Sequence, residues 1–394
     1  MKLFRSVAPL ALAAALLAAC GGGDPDVPGS GSPSGAPTTK GNFTALISFG
    51  DSLSDVGTYS PVPAQFGIPG GKFTTNSSTS TIWVENVAAA LGLLVTPAQV
   101  GFNGQAVNCP AAANPNPVIA KSCTAYGQGG SRVSDPNGIG HDPATGAGAL
   151  TVPVSTQIAN HLANPAFGGR FADTDLIMVY VGSNDVFTQF GIFAAKAGQI
   201  QAQAQGGTLT ADQANAALFQ AQTEAQAGMK QAALELAALV KSQILAKGGK
   251  YVAVMTLSDI ADTPFGNSAQ VAPARGVLTD LSRIFNLWLR DGLTGQPVQI
   301  IDTFALFKDL TAKATQLGFT NITTPACDAA KIAAATANNV TDGSSLFCGP
   351  GSLRDTPPAD PATWFFADSV HPSTGGHKAF SDVFLAQLRA FGWI

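Results

Sequence analysis

Apolar residues in this chain fall into two alternating patterns. Short apolar runs occupy 43–49, 175–181, 251–257 and 298–302. The run DLIMVYV over 175–181 has no polar alternation, as expected of a strand covered on both faces of a parallel sheet. Between the runs lie stretches with apolar residues at helical spacing. They cover 82–91, 155–162, 211–247, 278–293 and 374–391. The stripe over 211–247 runs through Leu218, Ala225, Met229, Leu236 and Val240, and the last one through Phe380, Phe384, Leu388 and Phe391. Gly206-Gly207 breaks the Ala- and Gln-rich stretch 190–247, and Gly248-Gly249 closes it as a C-cap should. Segments 60–80, 104–128 and 310–360 are rich in turn formers or lack a period, and read as mostly irregular. Strands alternating with helices, too far apart for hairpins, imply an α/β domain: a parallel sheet with helices on both faces.

The amino end departs from this pattern. Residues 1–20 carry a basic start (Lys2, Arg5), an apolar run over 7–19, and Cys20. The run is too short to span a bilayer and suits a secretory signal. Leu17-Ala18-Ala19-Cys20 resembles the lipobox of bacterial lipoproteins, which implies lipidation of Cys20 and attachment to the outer membrane. An ordinary signal peptide cut near Ala19 is the alternative. Residues 21–40 are mostly Gly, Pro, Ser and Thr and read as a flexible tether. The domain itself is expected over 41–394.

Composition narrows the partners. Charged residues make up 12% of the chain and the net charge is −4. With no Lys/Arg cluster, this argues against a nucleic-acid partner. Besides Cys20, the chain has Cys109, Cys123, Cys327 and Cys348. In an exported chain an even count suggests disulfides, and three pairings are possible. The local pairs Cys109–Cys123 and Cys327–Cys348 are favoured, since each would pin an irregular loop. No CxxC occurs and no His stands at ligand spacing from a Cys, so neither metal nor cofactor is expected.

Candidate chemistry sits at strand ends. The first run stops at Gly50-Asp51-Ser52, which places a hydroxyl at the carboxyl edge of a sheet, where open α/β sheets hold ligands. A serine nucleophile needs a base, and the base an orienting acceptor. Asp368-Ser369-Val370-His371, before the last helix, supplies both within one turn of loop. An oxyanion needs donors. The Ser52 and Gly130 amides and the Asn184 side chain each fall on a strand-end turn, with Gly129 as the alternative to Gly130.

Gly50-Asp51-Ser52-Leu53, Gly129-Gly130-Ser131-Arg132, Gly182-Ser183-Asn184-Asp185 and Asp368-Ser369-Val370-His371-Pro372 resemble, in order, four sequence blocks of the GDSL, or SGNH, hydrolases. Gly71-Lys72-Phe73-Thr74 followed by Trp83-Val84-Glu85 is similar to the segment after the first block in bacterial esterase members. The resemblance implies a flavodoxin-like three-layer α/β/α sandwich and ester hydrolysis through an acyl-enzyme. It implies Ser52 as nucleophile, His371 as base, Asp368 as its orienting acid, and an oxyanion hole of Ser52, Gly130 and Asn184. It further implies a lipid or short-chain acyl ester as substrate, with a sugar O-acetylesterase as second choice. A surface binding protein that has lost catalysis is the alternative of another class.

Other residues compete for these roles. An α/β-hydrolase also runs Ser, Asp, His, but its serine stands in GxSxG. Asp51, Asp55 and Asp185 read as turn or cap residues. Arg132 reads either as a substrate contact or as a surface salt bridge. Of the other histidines, His377 reads as helix packing, His161 as a helix-end residue, and His141 as a cleft-loop residue.

Overall fold

The computed structural model describes residues 31–101, 107–139 and 151–394. Cys20, the expected signal segment and His141 lie outside the described residues. Four parallel strands form the central sheet: β1 (Ala45–Gly50), β2 (Asp175–Tyr180), β3 (Tyr251–Met255) and β4 (Gln299–Ile301), in that spatial order. Every residue of β2 and β3 is buried, so helices must cover both faces, as the unbroken apolar run requires. On the outer side of β1, residues 124–126 run parallel to it. The Ser48 N–H donates to the Thr124 carbonyl at 3.0 Å and the Tyr126 N–H to the Ser48 carbonyl at 2.8 Å. With that segment counted as the second strand, the sheet has the flavodoxin order 2-1-3-4-5.

Helices group into two layers. α1 (Trp83–Ala90) packs against α8 (Thr374–Ala390), where Trp83 meets Phe384 edge to face at 4.9 Å. α2 (Val154–Ala163) lies against β1. α3 (Ser183–Gln205) and α4 (Ala211–Leu239) form a long hairpin that packs on α5 (Arg275–Gly292). Thr210 opens α4 with a capping box shared with Gln213. The α4 backbone continues through a π turn (Val240–Ile244) and a 3₁₀ turn (Leu245–Lys247) to Gly248, whose φ of 99° ends it in the left-handed region.

Two regions differ from the sequence reading. Within the segment expected to be irregular, Asp328 caps a helix, α7 (Ala329–Ala335), which follows α6 (Thr303–Ala312), capped by Asp302. A short polar N-cap starts these helices without a long apolar stripe to announce them. Second, the part of the expected tether that is described is docked. The Ser34 N–H donates to the Gln296 carbonyl, and the Trp393 Nε1–H to the Pro37 carbonyl at 2.7 Å. The apolar residues of the described chain form two cores. The larger surrounds the sheet. The smaller gathers Ile68, Phe73, Ile332, Leu346, Phe347 and Ala367 around one disulfide.

The disulfides join Cys109 to Cys123 and Cys327 to Cys348. Among the described residues no helix is long and apolar enough to cross a membrane.

Candidate active site

β1 ends where its neighbour comes closest. A Cβ on Gly50 would lie 2.4 Å from the Tyr180 carbonyl oxygen, so only glycine fits. Gln157 of α2 fixes this strand end. Its Oε1 accepts from the Gly50 N–H at 2.9 Å, and its Nε2 donates to the Gly50 carbonyl at 2.8 Å. The chain then turns through a single 3₁₀ turn (Ser52–Ser54), which Asp51 caps by accepting from the Leu53 N–H at 3.1 Å. Ser52 is thereby held at the carboxyl edge of the sheet, 8% exposed.

The C-terminal cluster reaches Ser52 from across the molecule. His371 Nε2 lies 2.8 Å from Ser52 Oγ, and His371 Nδ1 lies 2.7 Å from Asp368 Oδ2. The rest of the Asp368 carboxylate is fully engaged. Oδ1 accepts from the Val370 and His371 N–H groups, and Oδ2 also from the Ser345 N–H at 2.9 Å. Burial opposes a charge on Asp368. The adjoining His371 and these donors outweigh it and hold the carboxyl well below the usual carboxylate range.

Three candidate donors lie on adjoining strand ends. Gly130 has φ 85°, the left-handed region, and follows the 124–126 segment. Among the described residues, neither the Ser52 nor the Gly130 N–H is taken up by a hydrogen bond. Asn184 sits in the first turn of α3, just past β2. Its Nδ2 donates to the Ser131 carbonyl at 2.8 Å. A second amide hydrogen stays on the same nitrogen.

Buried acids tie these loops together. Asp55 accepts from the Gly57, Thr58 and Gly129 N–H groups, which joins the serine turn to the Gly130 loop. Burial pushes it up to about 6, against those bonds. Asp185 accepts from Arg132 Nε at 3.0 Å and from the Val133 N–H at 3.1 Å. Arg132 also pairs with Asp135, so it is a bridge between loops. Burial pushes Asp185 up to about 6 even so. Asp51 is pushed up to about 7 by burial, and its Leu53 bond eases this only in part. The reading of Asp55 and Asp185 as turn and cap residues omitted their reach into the second block, while Asp51 only caps its own turn.

Both remaining described histidines are packed. His161 is stacked between Phe167 and Phe171, and burial pushes it down to about 4. His377 is buried in α8, with Nε2 3.4 Å from the Phe73 carbonyl oxygen. Gln157 and the Ser345 amide escaped the sequence reading. Neither belongs to a short motif, and a side chain bonding a distant main chain leaves no periodic trace. Among the described residues no three or more His, Cys, Asp or Glu side chains cluster as a metal site would require.

A hydroxyl, an imidazole and a buried carboxylate in one hydrogen-bonded row, with unbonded amides on adjoining strand ends, is an arrangement able to attack a carbonyl carbon. The family described as GDSL-like Lipase/Acylhydrolase matches residues 46–384, nearly the whole domain. The chain belongs to this family and is a hydrolase of ester bonds. A search of curated proteins found no match.

Proposed function

We propose that the protein cleaves carboxylic esters through an acyl-enzyme. Ser52 attacks the acyl carbon while His371 takes its proton. The alkoxy group leaves with that proton, and water then releases the acid by the same steps reversed. Asp368 holds the imidazole, and the Ser52 and Gly130 amides with Asn184 stabilise the oxyanion. The observation that carries this reading is the row Ser52 Oγ, His371, Asp368, with separations of 2.8 and 2.7 Å. No metal, cofactor or nucleic acid enters it. An organophosphonate ester should label Ser52 stoichiometrically, and Ser52→Ala should abolish both labelling and turnover. Labelling at another residue, or wild-type turnover by Ser52→Ala, would sink the assignment.

The substrate we infer is a lipid or short-chain acyl ester. The family's description, a lipase or acylhydrolase, supports that reading. An O-acetylesterase of polysaccharides is the second reading. A panel of acyl chain lengths beside acetylated polysaccharide separates the two. For the amino end we propose export and lipidation at Cys20, with the outer membrane as the site. The disulfides suit an oxidising compartment. Cys20→Ser should release the protein from the membrane fraction, and unchanged fractionation would count against the lipid.

A further inference from the structure

The geometry points to Phe73 as a positioning residue that sets the imidazole of His371 against the Gly130 loop. This rests on the assignment of Ser52, His371 and Asp368 proposed above. His371 is fixed at its two nitrogens, but two in-plane bonds leave the ring free to rock about the line joining them. Phe73 supplies the missing restraint. Its ring lies against the imidazole face, with centroids 4.9 Å apart and planes 38° apart.

Phe73 is itself held on every side. Tyr59 meets it edge on, at 6.2 Å and 88°. The hydroxyl of Tyr59 donates to the Gly129 carbonyl at 2.9 Å. The far edge of the Phe73 ring occupies the space in front of Gly129. A Cβ built on Gly129 would lie 2.2 Å from Phe73 Cζ and 2.3 Å from Cε2. The main chain around Phe73 is pinned as well. Asn76 donates to the Lys72, Thr74 and Ser345 carbonyls, and the Thr374 N–H donates to the Thr75 hydroxyl. One ring thus touches both the base and the residue preceding the Gly130 amide.

Gly129 is therefore a glycine because of Phe73, since its φ is not in the left-handed region. A methyl group there must displace the aromatic ring, and the same ring lies against His371. Base and oxyanion loop are spaced by a single rigid spacer, at a position where displacement by about 1 Å can cost about 100-fold in rate.

The test is a double-substitution cycle in the full chain, with para-nitrophenyl acetate as substrate and thermal melts as a check on folding. Phe73→Leu keeps an apolar side chain and removes the flat ring. It should lower kcat by about 100-fold while KM stays within about twofold, because ground-state binding is not what is lost. Gly129→Ala should lower kcat comparably with Phe73 in place. In the Phe73→Leu background it should cost clearly less, because only the Tyr59 ring, 3.1 Å from the added Cβ, is then left to give way. Wild-type kcat in Phe73→Leu, a rise in KM alone, or losses that simply multiply would each overturn the proposal. If Phe73→Leu does not fold, Gly129→Ala decides by itself through the same split between kcat and KM. Ser52→Ala, assayed alongside, separates the two readings. Turnover retained there removes the triad, whereas an inactive Ser52→Ala beside a fully active Phe73→Leu removes only the spacer.

Discussion

The two halves of the site are held by different physics. Ser52 stands at the end of a regular strand, in register with its neighbour through Gly50 opposite Tyr180, above the main core. Asp368 and His371 stand on an irregular loop. That loop is held by main-chain bonds from Cys327 to Ala367, by the Ser345 amide, and by the small core around the Cys327–Cys348 bond. A nucleophile carried by a sheet is placed by periodic hydrogen bonding and needs few specific side chains. An acid and base carried by loops need a cross-link and several side chain to main chain bonds to reach similar precision. Sheet position is therefore robust, and loop position depends on each brace.

Four measurements test whether sheet and loop differ in this way. Asp368→Asn should have the largest effect, a loss of about 10⁴-fold in kcat, because the imidazole loses the acceptor that fixes its tautomer. Near-normal kcat there would mean that the loop is placed without its carboxylate. Asn184→Ala, on the sheet side, should lose about 2.7–4 kcal/mol of transition-state stabilisation, or about 10²–10³-fold in kcat. Unchanged kinetics would take Asn184 out of the oxyanion hole.

The disulfides give the most direct comparison. Their loops span similar separations, 14 and 21 residues, so removing either should cost stability by about 3 kcal/mol. The paired substitution Cys327→Ser with Cys348→Ser should also lower kcat of the folded protein by about tenfold or more, since the loop with Asp368 loses its brace. Cys109→Ser with Cys123→Ser should leave kcat intact. Equal kcat in the two double variants would show that the loop does not depend on its cross-link.

The smallest effect is one of pH. Burial pushes His161 from the ordinary histidine value of 6.5 down to about 4. Between these values the unfolded chain takes up a proton that the folded protein refuses. Stability is therefore unaffected above pH 6.5 and falls as pH drops toward 4, by about 2 kcal/mol at pH 5. His161→Phe should flatten that part of the stability–pH curve, as read by denaturant midpoints. An unaltered slope would place the acid sensitivity elsewhere, with His377 (pushed down to about 3, again by burial) the next group to replace.

Legibility in the sequence follows the same divide. The apolar run before Gly50 and the run over 175–181 each end where a strand ends. Ser52, Gly130 and Asn184 could therefore be assigned to one sheet edge. Asp368 and His371 were legible from their spacing, which needs only one turn of loop. What holds them was not. The Ser345 amide lies 23 residues before Asp368, and Phe73 nearly 300 before His371. Contacts of that reach follow no repeat. α7 was missed because a seven-residue helix is too short to develop an apolar stripe. The docking of residues 32–37 was missed because Gly, Pro and Ser bond through their main chain, which composition does not reveal.

That docking has an orientation. Thr44 bonds Thr174 just before their strands begin, the Gly41 N–H donates to the Trp393 carbonyl, and Lys40 meets Tyr251 at the first residue of β3. The described amino-terminal stretch thus lies along the edge where the sheet's strands start. Ser52 lies at the opposite edge, across a six-residue strand, or roughly 20 Å away. The docked amino-terminal stretch and the Ser52 turn therefore occupy opposite ends of the same strand, so substitutions in residues 32–44 can loosen the base of the sheet without touching the serine turn.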